Sequence, residues 1–231
     1  MTATIRPGEV FASAQDFDQG IRALVPHYDE MLTALSLCVP PTAQRLLDLG
    51  GGTGNVSGRL LQRLPQAQVV LMDYSPAMLA QAQAKLPPSQ VTLILGDFGE
   101  WALHPERFPP IEPVDACVSA LAIHHLSDPM KGHLFRQVFS HLRPGGCFWN
   151  ADPVVAPHPY SAALYQRVRQ ELLPPEAVPE RGQVVPCGHS APDQLTTVAK
   201  QLELLQAAGF VGVDVVWQWF GLAIVGGYVP A

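Results

Sequence analysis

The stretch RLLDLGGGTGN, from Arg45 to Asn55, restricts the fold of this chain more than any other part of the sequence. A short apolar run carries Asp48 near its end, and glycine occupies four of the five positions 50–54. Glycines that follow a buried strand let the backbone turn sharply and approach a ligand without interference from Cβ atoms. The stretch therefore predicts a strand, a turn that holds a ligand, and a helix in succession.

The spacing of these glycines limits the class of ligand. A dinucleotide-binding turn has the pattern GxGxxG, whereas Asn55 stands where its third glycine would be. No Gly-Lys-Ser/Thr triplet follows the turn, which excludes a P-loop. Asp48 at the end of the strand would repel a phosphate group and attract a positively charged ligand. The turn thus indicates a cationic ligand that lacks phosphate.

Short apolar runs alternate with segments of helical periodicity along most of the chain. Because parallel strands are joined through helices, this alternation predicts a Rossmann-like α/β fold, a doubly wound parallel sheet with helices on both faces. Two runs near the C-terminus are separated only by a tight turn, which predicts an antiparallel pair at the edge of the sheet. The predicted strands are 45–49, 69–73, 91–95, 114–119, 147–151, 211–220 and 222–229, and the predicted helices are 17–37, 57–64, 76–86, 130–142, 160–173 and 193–208.

Acidic residues also end the second and third predicted strands. An acid about 20 residues beyond such a turn holds the hydroxyl groups of a ribose, and Asp73 has this position. The alternative is that Asp73 only caps the following helix. Asp97 can accept a hydrogen bond from an exocyclic amine while Phe98 covers an adenine ring. A ribose, an adenine-like base and a cationic end without phosphate together describe S-adenosylmethionine.

The segments that carry these features occur together in one known family. LLDLGGGTGN, MDYSPAMLAQA, GDF, VDACVSALAIHHLSD, HLRPGG and LLQAAGF stand in this order, and over residues 44–229 the chain resembles the class I S-adenosylmethionine-dependent methyltransferases. The resemblance implies a seven-stranded, mostly parallel sheet in which the last hairpin inserts one antiparallel strand at the edge. It also implies a methyltransferase that binds S-adenosylmethionine and releases S-adenosylhomocysteine.

The resemblance assigns parts of the cofactor to residues of this chain. The glycine turn would lie under the methionine part, and the backbone at the end of the fourth strand would face the sulfonium. Tyr28 resembles a helix tyrosine that some members turn toward the cofactor's carboxylate. The predicted cofactor-binding residues are Tyr28, Asp48, Gly50, Gly51, Gly52, Asn55, Asp73 at the ribose, Tyr74 and Met78 beside the adenine, Asp97 and Phe98 at the base, and Ala120 near the sulfonium.

Two adjacent histidines follow the fourth predicted strand, beside the expected position of the transferred methyl group. A histidine titrates near neutral pH and can take a proton from an acceptor, so His124 and His125 are the candidate catalytic residues. Two neighbours on a helical turn cannot both face a pocket, and the position of Leu126 favours His124. The alternative is that both only shape the pocket wall. Cys187 and His189 lack a second pair at ligand spacing, so we expect no bound metal.

Length and composition limit the organisation and the partners of the chain. The 231 residues suit one methyltransferase domain, with a helical cover at 1–43, a cofactor-binding core at 44–151, an insert or lid at 152–192, and a C-terminal helix and hairpin at 193–231. A net charge of −6 without a basic cluster argues against a nucleic-acid partner. No apolar segment is long enough for a membrane span. Scattered cysteines outside CxxC pairs indicate reduced thiols and a cytoplasmic location.

The acceptor and the assembly are less restricted. The predicted covers of the pocket are apolar and aromatic, which favours a small-molecule acceptor. The oligomeric state stays open, with a homodimer as one option. Two other functions also stay open: a carboxy-S-adenosylmethionine-type tRNA-modification enzyme, for which Arg22 offers a positive charge, and a non-catalytic S-adenosylmethionine-binding subunit. The Tyr–Lys pair of NAD(P)-dependent reductases and the Gly-x-Ser-x-Gly turn of hydrolases are both absent.

Overall fold

A seven-stranded sheet forms the centre of the protein, with strand order β3-β2-β1-β4-β5-β7-β6. The structure, a computed structural model, describes residues 14–172 and 194–231. The predicted doubly wound, mostly parallel fold is confirmed. The strands are β1 (Arg45–Leu49), β2 (Gln68–Asp73), β3 (Val91–Leu95), β4 (Val114–Ala120), β5 (Leu142–Pro153), β6 (Val211–Trp219) and β7 (Leu222–Tyr228).

Helices connect most of the strands. Apart from shifts at helix ends, the largest of which moves the start of the helix predicted over 193–208 to Val198, two helices differ from the prediction. The helix predicted over 17–37 is broken at Pro26 and His27, because His27 adopts a left-handed conformation with φ 58°. A short helix that starts at Phe98 had no periodic signal. The helices are α1 (Ala14–Leu24), α2 (Tyr28–Leu37), α3 (Asn55–Arg63), α4 (Pro76–Lys85), α5 (Phe98–Leu103), α6 (Asp128–His141), α7 (Pro159–Leu172) and α8 (Val198–Ala208).

The order of the strands fixes where a ligand can bind. β1 pairs in parallel with both β2 and β4, so the direction in which strands are added reverses between β1 and β4. Ligands of open α/β sheets bind in the crevice at such a switch point, beyond the carboxyl ends of the strands. At the other side of the sheet, β7 is antiparallel to both β5 and β6, as predicted for the last hairpin.

Apolar side chains cover both faces of the parallel strands, as expected where helices lie on each side. Leu47 and Leu49 of β1 belong to a cluster with α5, α6 and α8. Leu46 of β1 belongs to a second cluster with α2 and α3 on the opposite face. Among the helices that the structure describes, none is long and apolar enough to cross a bilayer.

Candidate functional site

A cavity of about 640 Å³ lies beyond the carboxyl ends of β1, β2, β3 and β4. This is the position that the switch point predicts. Every predicted cofactor-binding residue except Asp48 lines this cavity. The lining residues are Phe17, Tyr28, Gly50, Gly51, Gly52, Thr53, Asn55, Val56, Asp73, Tyr74, Pro76, Met78, Leu95, Gly96, Asp97, Phe98, Glu100, Ala120, Leu121, Ala122, His125 and Leu126.

The glycine turn forms the floor of the cavity, and its backbone is held in place. The amides of Gly50 and Gly51 donate to the Met72 carbonyl at 2.8 and 3.2 Å. Gly50 has φ +65°, and a Cβ there would lie 2.4 Å from the Cβ of Ala122. Gly52 has φ +55°, but a Cβ there would meet no atom within 4 Å. Gly50 is therefore required by packing, whereas Gly52 leaves open space for a ligand.

Asp73 ends β2 and binds the backbone on both of its sides. Its Oδ2 accepts from the Gly52 amide at 2.9 Å, and its Oδ1 accepts from the Ser75 amide at 2.8 Å. Burial raises the pKa of Asp73, although these two amides oppose the shift. Ser75 itself caps α4 by accepting from the Met78 amide. Because each carboxylate oxygen accepts more than one hydrogen bond, Asp73 can serve the turn and still bind a diol.

Asp97 and Phe98 lie at the end of β3, where α5 begins. Asp97 Oδ1 accepts from the amides of Gly99 and Glu100 at 2.6 and 3.4 Å, which makes it the N-cap of α5. Phe98 packs against the glycine turn, since a Cβ on Gly50 would lie 3.2 Å from its ring. Capping by one oxygen leaves the other oxygen of Asp97 for a base amine, so its predicted role stays a prediction.

Asp48 does not line the cavity, unlike the other predicted cofactor residues. Its side chain is fully buried, and its Oδ2 accepts from the Ser57 hydroxyl at 2.6 Å. Its Oδ1 has no hydrogen-bond partner among the described residues. Burial, with a contribution from the negative charge of Asp73, raises the pKa of Asp48 to about 6 even though Ser57 opposes the shift. It lies next to Gly51 of the cavity lining, since a Cβ there would lie 3.0 Å from the Asp48 carboxyl carbon.

Tyr28 and Asn55 form the end of the cavity next to the N-terminal helices. Tyr28 is buried, and its hydroxyl accepts from Asn55 Nδ2 at 3.1 Å. Burial raises the pKa of Tyr28 to about 12, so its hydroxyl keeps its proton near neutral pH and remains a donor. Arg22, which the tRNA-modification alternative would use, instead pairs with Asp29 at 3.1 Å and does not line the cavity.

The two histidines have different surroundings, and the preference for His124 as the residue that faces the cavity is wrong. His125 lines the cavity. His124 is buried, and its Nδ1 lies 2.9 Å from Oδ1 of Asp152, at the end of β5. A 3₁₀ turn over Ile123–His125 directs successive side chains apart. The two imidazole rings nevertheless stay in contact, with centroids 3.8 Å apart.

The insert contributes no described residue to this cavity. Residues 152–172 do not line it, and the remainder of the predicted lid, with Cys187 and His189, lies outside the described residues. His158 and Tyr160 stack on each other with ring centroids 5.2 Å apart, and Tyr160 is exposed. Within residues 14–172 and 194–231, no group of three or more His, Cys, Asp or Glu side chains is arranged to hold a metal ion.

Several residues of the site had not been predicted from the sequence. Asp152 could have been noticed, because it ends the fifth strand as Asp48 and Asp73 end the first two. Asp18, whose carboxylate accepts hydrogen bonds from Thr53 and Asn55 of the cavity lining, could not be predicted, because these partners are far along the chain. The other additional residues line the cavity: Phe17, Thr53, Val56, Pro76, Leu95, Gly96, Glu100, Leu121, Ala122 and Leu126.

Comparison with known proteins relates the central part of the chain to methyltransferases. A family model described as a methyltransferase domain matches residues 46–146. An uncharacterized methyltransferase of Geobacillus kaustophilus is 32% identical over 141 residues, which are 61% of this chain and 60% of that protein. A trans-aconitate 2-methyltransferase of Azoarcus sp. is 32% identical over 167 residues, which are 71% of this chain and 60% of that protein. The chain thus spans at most about 60% of the length of these curated relatives.

Solved structures share the fold at low sequence identity. An O-methyltransferase family protein from Burkholderia thailandensis has a TM-score of 0.67 and 16% identity, covering 97% of this chain and 67% of that protein. Human N-acetylserotonin methyltransferase, solved in complex with SAM, has a TM-score of 0.59 and 18% identity, covering 94% of this chain and 54% of that protein. At such identities these likenesses show the fold alone.

Proposed function

We propose that this chain, whose residues 46–146 match a methyltransferase-domain family, is a class I S-adenosylmethionine-dependent methyltransferase that transfers the methyl group of S-adenosylmethionine to a small-molecule acceptor. One observation carries the proposal. The charged residues that line the cavity are Asp73, Asp97 and Glu100, with no lysine or arginine among the described lining residues. Such a lining attracts a cation and repels phosphate, which suits a sulfonium and an ammonium and disfavours nucleotides such as NAD or ATP.

The shape of the cavity suits the parts of this cofactor in order. Asp97 and Phe98 at one end match a base, and Asp73 in the middle matches a ribose diol. Tyr28 and Asn55 at the other end offer polar groups to an amino acid. The sulfonium would supply a reactive methyl group next to Ala120. Because that reaction disperses charge rather than creating it, the main contribution of the protein is to align donor and acceptor, which alone can supply about 7–11 kcal/mol.

A general base is needed only if the methyl acceptor loses a proton on methylation. His125 is the histidine on the cavity wall, and we assign the contact with the acceptor to it. His124 lies behind it, where Asp152 fixes the position of its ring. A neutral His124 would keep its proton on Nδ1, toward the carboxylate, and present Nε2 as its basic atom. The pair of His124 and Asp152 would therefore orient the turn that carries His125.

A small, weakly polar molecule suits the wall beside the expected methyl group. Leu121, Ala122 and Leu126 line that wall together with His125. The curated relatives do not select one acceptor, since they include trans-aconitate 2-methyltransferases and a demethylmenaquinone methyltransferase. Both of these names specify small molecules, which supports a small acceptor but gives neither its polarity nor its identity.

Binding and turnover by the purified chain test the proposal directly. We expect isothermal titration calorimetry to show saturable binding of S-adenosylhomocysteine, and none of NAD or ATP, because the described lining carries acidic groups without a lysine or arginine. Radiolabelled S-adenosylmethionine incubated with metabolite extracts should then yield a labelled product and S-adenosylhomocysteine. Binding of NAD or ATP in preference to S-adenosylhomocysteine would refute the cofactor assignment. Binding without any transfer would favour a non-catalytic subunit.

Asp73→Asn should weaken S-adenosylhomocysteine binding about tenfold, which is about 1.4 kcal/mol. The amide keeps the size of the side chain and one acceptor oxygen, but it lacks the charge that strengthens bonds to a diol. Calorimetry of the variant measures the change, and circular dichroism checks that the chain is folded, because Asp73 also binds the Gly52 amide. An unchanged Kd in a folded variant would remove the ribose role.

A further inference from the structure

The helix α1 is attached to the protein far more weakly than the helix α2 that follows it. Among residues 17–24 of α1, Ile21 is the one buried side chain. Elements with few buried apolar contacts open at low free energy, and moving parts of binding sites are drawn from them. In contrast, α2 buries Tyr28, Met31, Leu32, Leu35 and Ser36.

The junction between the two helices has the features of a hinge. Pro26 interrupts the helical hydrogen bonding, and His27 has φ 58°. Contacts with other elements hold the beginning of α2 in place. The ring of His27 lies 4.9 Å from the ring of Trp219 in β6, and Glu30 accepts from the Trp217 indole at 3.2 Å. A movement of α1 would therefore be absorbed at residues 25–27, while α2 keeps its position.

One side chain of α1 ties this helix across the amino-acid end of the cavity. Asp18 Oδ1 accepts from the Thr53 hydroxyl at 2.6 Å and from Asn55 Nδ2 at 2.9 Å. Its Oδ2 accepts from Lys85 Nζ, at the end of α4, at 2.7 Å. Thr53 and Asn55 line the cavity, and so does Phe17. These hydrogen bonds lower the pKa of Asp18 although burial opposes the shift, so the carboxylate is charged.

We propose that α1 is a lid over the amino-acid end of the cofactor cavity and that Asp18 is the latch that holds this lid closed. The inference rests on the proposed function, because it assigns the cavity to the cofactor. The latch contacts join groups of the chain and not the ligand, and the proposal holds that the same contacts form with and without it. A change in them therefore cancels largely in the Kd and acts on the rates at which the ligand enters and leaves.

Stopped-flow kinetics with S-adenosylhomocysteine as the probe measures both rates. We expect Asp18→Ala to raise the association and dissociation rate constants by about tenfold each, which corresponds to about 1.4 kcal/mol. Lys85→Gln removes one partner of a pair whose side chains are 33% and 29% exposed, so its effect should be about threefold, as expected for a partly screened ion pair. For both variants the Kd should change by less than about twofold, because contacts shared by the free and bound states cancel.

Asp115→Ala provides a matched control at the opposite end of the sheet. Asp115 is also partly exposed and also held by several donors, namely the amides of Gln44 and Arg45 and the guanidinium of Arg143. Its substitution should leave both rate constants as in the wild type. If Asp18→Ala changes neither rate constant, the lid proposal is refuted. It is also refuted if the dissociation rate constant rises while the association rate constant stays the same, since Asp18 would then contact the ligand.

Hydrogen exchange of the ligand-free protein separates this proposal from the cofactor assignment. The amides of α1 should exchange faster than those of α2, and Asp18→Ala should accelerate exchange in α1 alone. Equal protection of the two helices would refute the lid even if S-adenosylhomocysteine binds. Failure of the wild type to bind this compound would instead refute the proposed function, and with it the cofactor role of the lid.

Discussion

Gly52→Val is expected to weaken S-adenosylhomocysteine binding by about a hundredfold or more, which is about 2.8 kcal/mol. Gly52 lines the cavity, and a Cβ there would point into open space rather than into protein. A valine side chain would therefore occupy the volume under the amino-acid part of the cofactor without a clash in the ligand-free chain. Calorimetry measures the loss, and a folded variant is required for its interpretation.

Gly145→Val is the matched control for this loss. Gly145 also has a left-handed backbone, with φ +73°, and a Cβ there would likewise meet no atom within 4 Å. It lies in the exposed first part of β5, where its amide donates to the Val229 carbonyl at 3.1 Å. Both variants should lose similar stability, roughly 1–2 kcal/mol, because a side chain disfavours this conformation.

The comparison isolates the approach of the backbone to the ligand. If both variants unfold at similar denaturant concentrations but only Gly52→Val loses binding, the loss arises from the cavity and not from the strained conformation. If Gly52→Val binds as well as Gly145→Val, the glycine turn does not lie under the cofactor. The central interpretation of the sequence would then be wrong, and the acidic lining would need another ligand.

The cavity lining could be predicted because its signals are local and the sheet brings them together. β1 and β3 have the predicted bounds, since short apolar runs with a polar end mark buried strands. The carboxyl ends of parallel strands lie at one edge of a sheet, so Asp73 and Asp97 become neighbours although they are far apart in the chain. The order of the strands was enough to place these two residues together, without any distance in the structure.

The orientation of the histidines could not be predicted from the same signals. A 3₁₀ turn places successive residues about 120° apart, because it has 3.0 residues per turn, and its phase depends on the preceding residue. Here Leu121 adopts a left-handed conformation with φ 55°, which no local pattern indicates. The partner of His124 is Asp152, on another strand. The break in the first helix is different, because Pro26 was a visible signal.

The burial of Asp48 was predictable only in part. Alternation along β1 places Asp48 on the same face as Leu46, opposite Leu47 and Leu49. That face is covered by α2 and α3, so Ser57 at the beginning of α3 lies within hydrogen-bonding distance of Asp48. The sequence gives the alternation, but which helix covers which face follows from the path of the chain between strands. A carboxylate predicted to face the ligand therefore lies beneath the turn.

The stability of the ligand-free Asp48→Asn variant, relative to that of the wild type, should consequently increase as the pH rises. Burial raises the pKa of Asp48 from its ordinary 3.8 to about 6. The folded protein thus binds this proton more tightly than the unfolded chain does. The resulting stabilisation is complete below pH 3.8 and is lost as the pH rises through 6. Asparagine has no such proton, so its difference from the wild type must change with pH.

The expected change is large enough to measure by urea unfolding. Between pH 4 and pH 8, the free energy of unfolding of Asp48→Asn should rise by about 2–3 kcal/mol relative to the wild type, since one pKa unit is about 1.36 kcal/mol. The pH dependence of groups that do not interact with Asp48 cancels in this difference. Any constant effect of losing the carboxylate bond to Ser57 cancels as well, because only the slope with pH is used.

Asp115→Asn should show no such rise between pH 4 and pH 8. Burial alone would raise the pKa of Asp115, but the amides of Arg45 and Gln44 and the guanidinium of Arg143 together lower it. Its carboxylate therefore stabilises the fold above its ordinary pKa of 3.8 and loses this effect only as the pH falls through its lowered pKa, so the difference in stability between Asp115→Asn and the wild type should stay nearly constant between pH 4 and pH 8. Suppose that the difference in unfolding free energy from the wild type changes equally with pH in both variants. The pKa of Asp48 is then not raised in the ligand-free chain, and other groups beneath the turn compensate its charge.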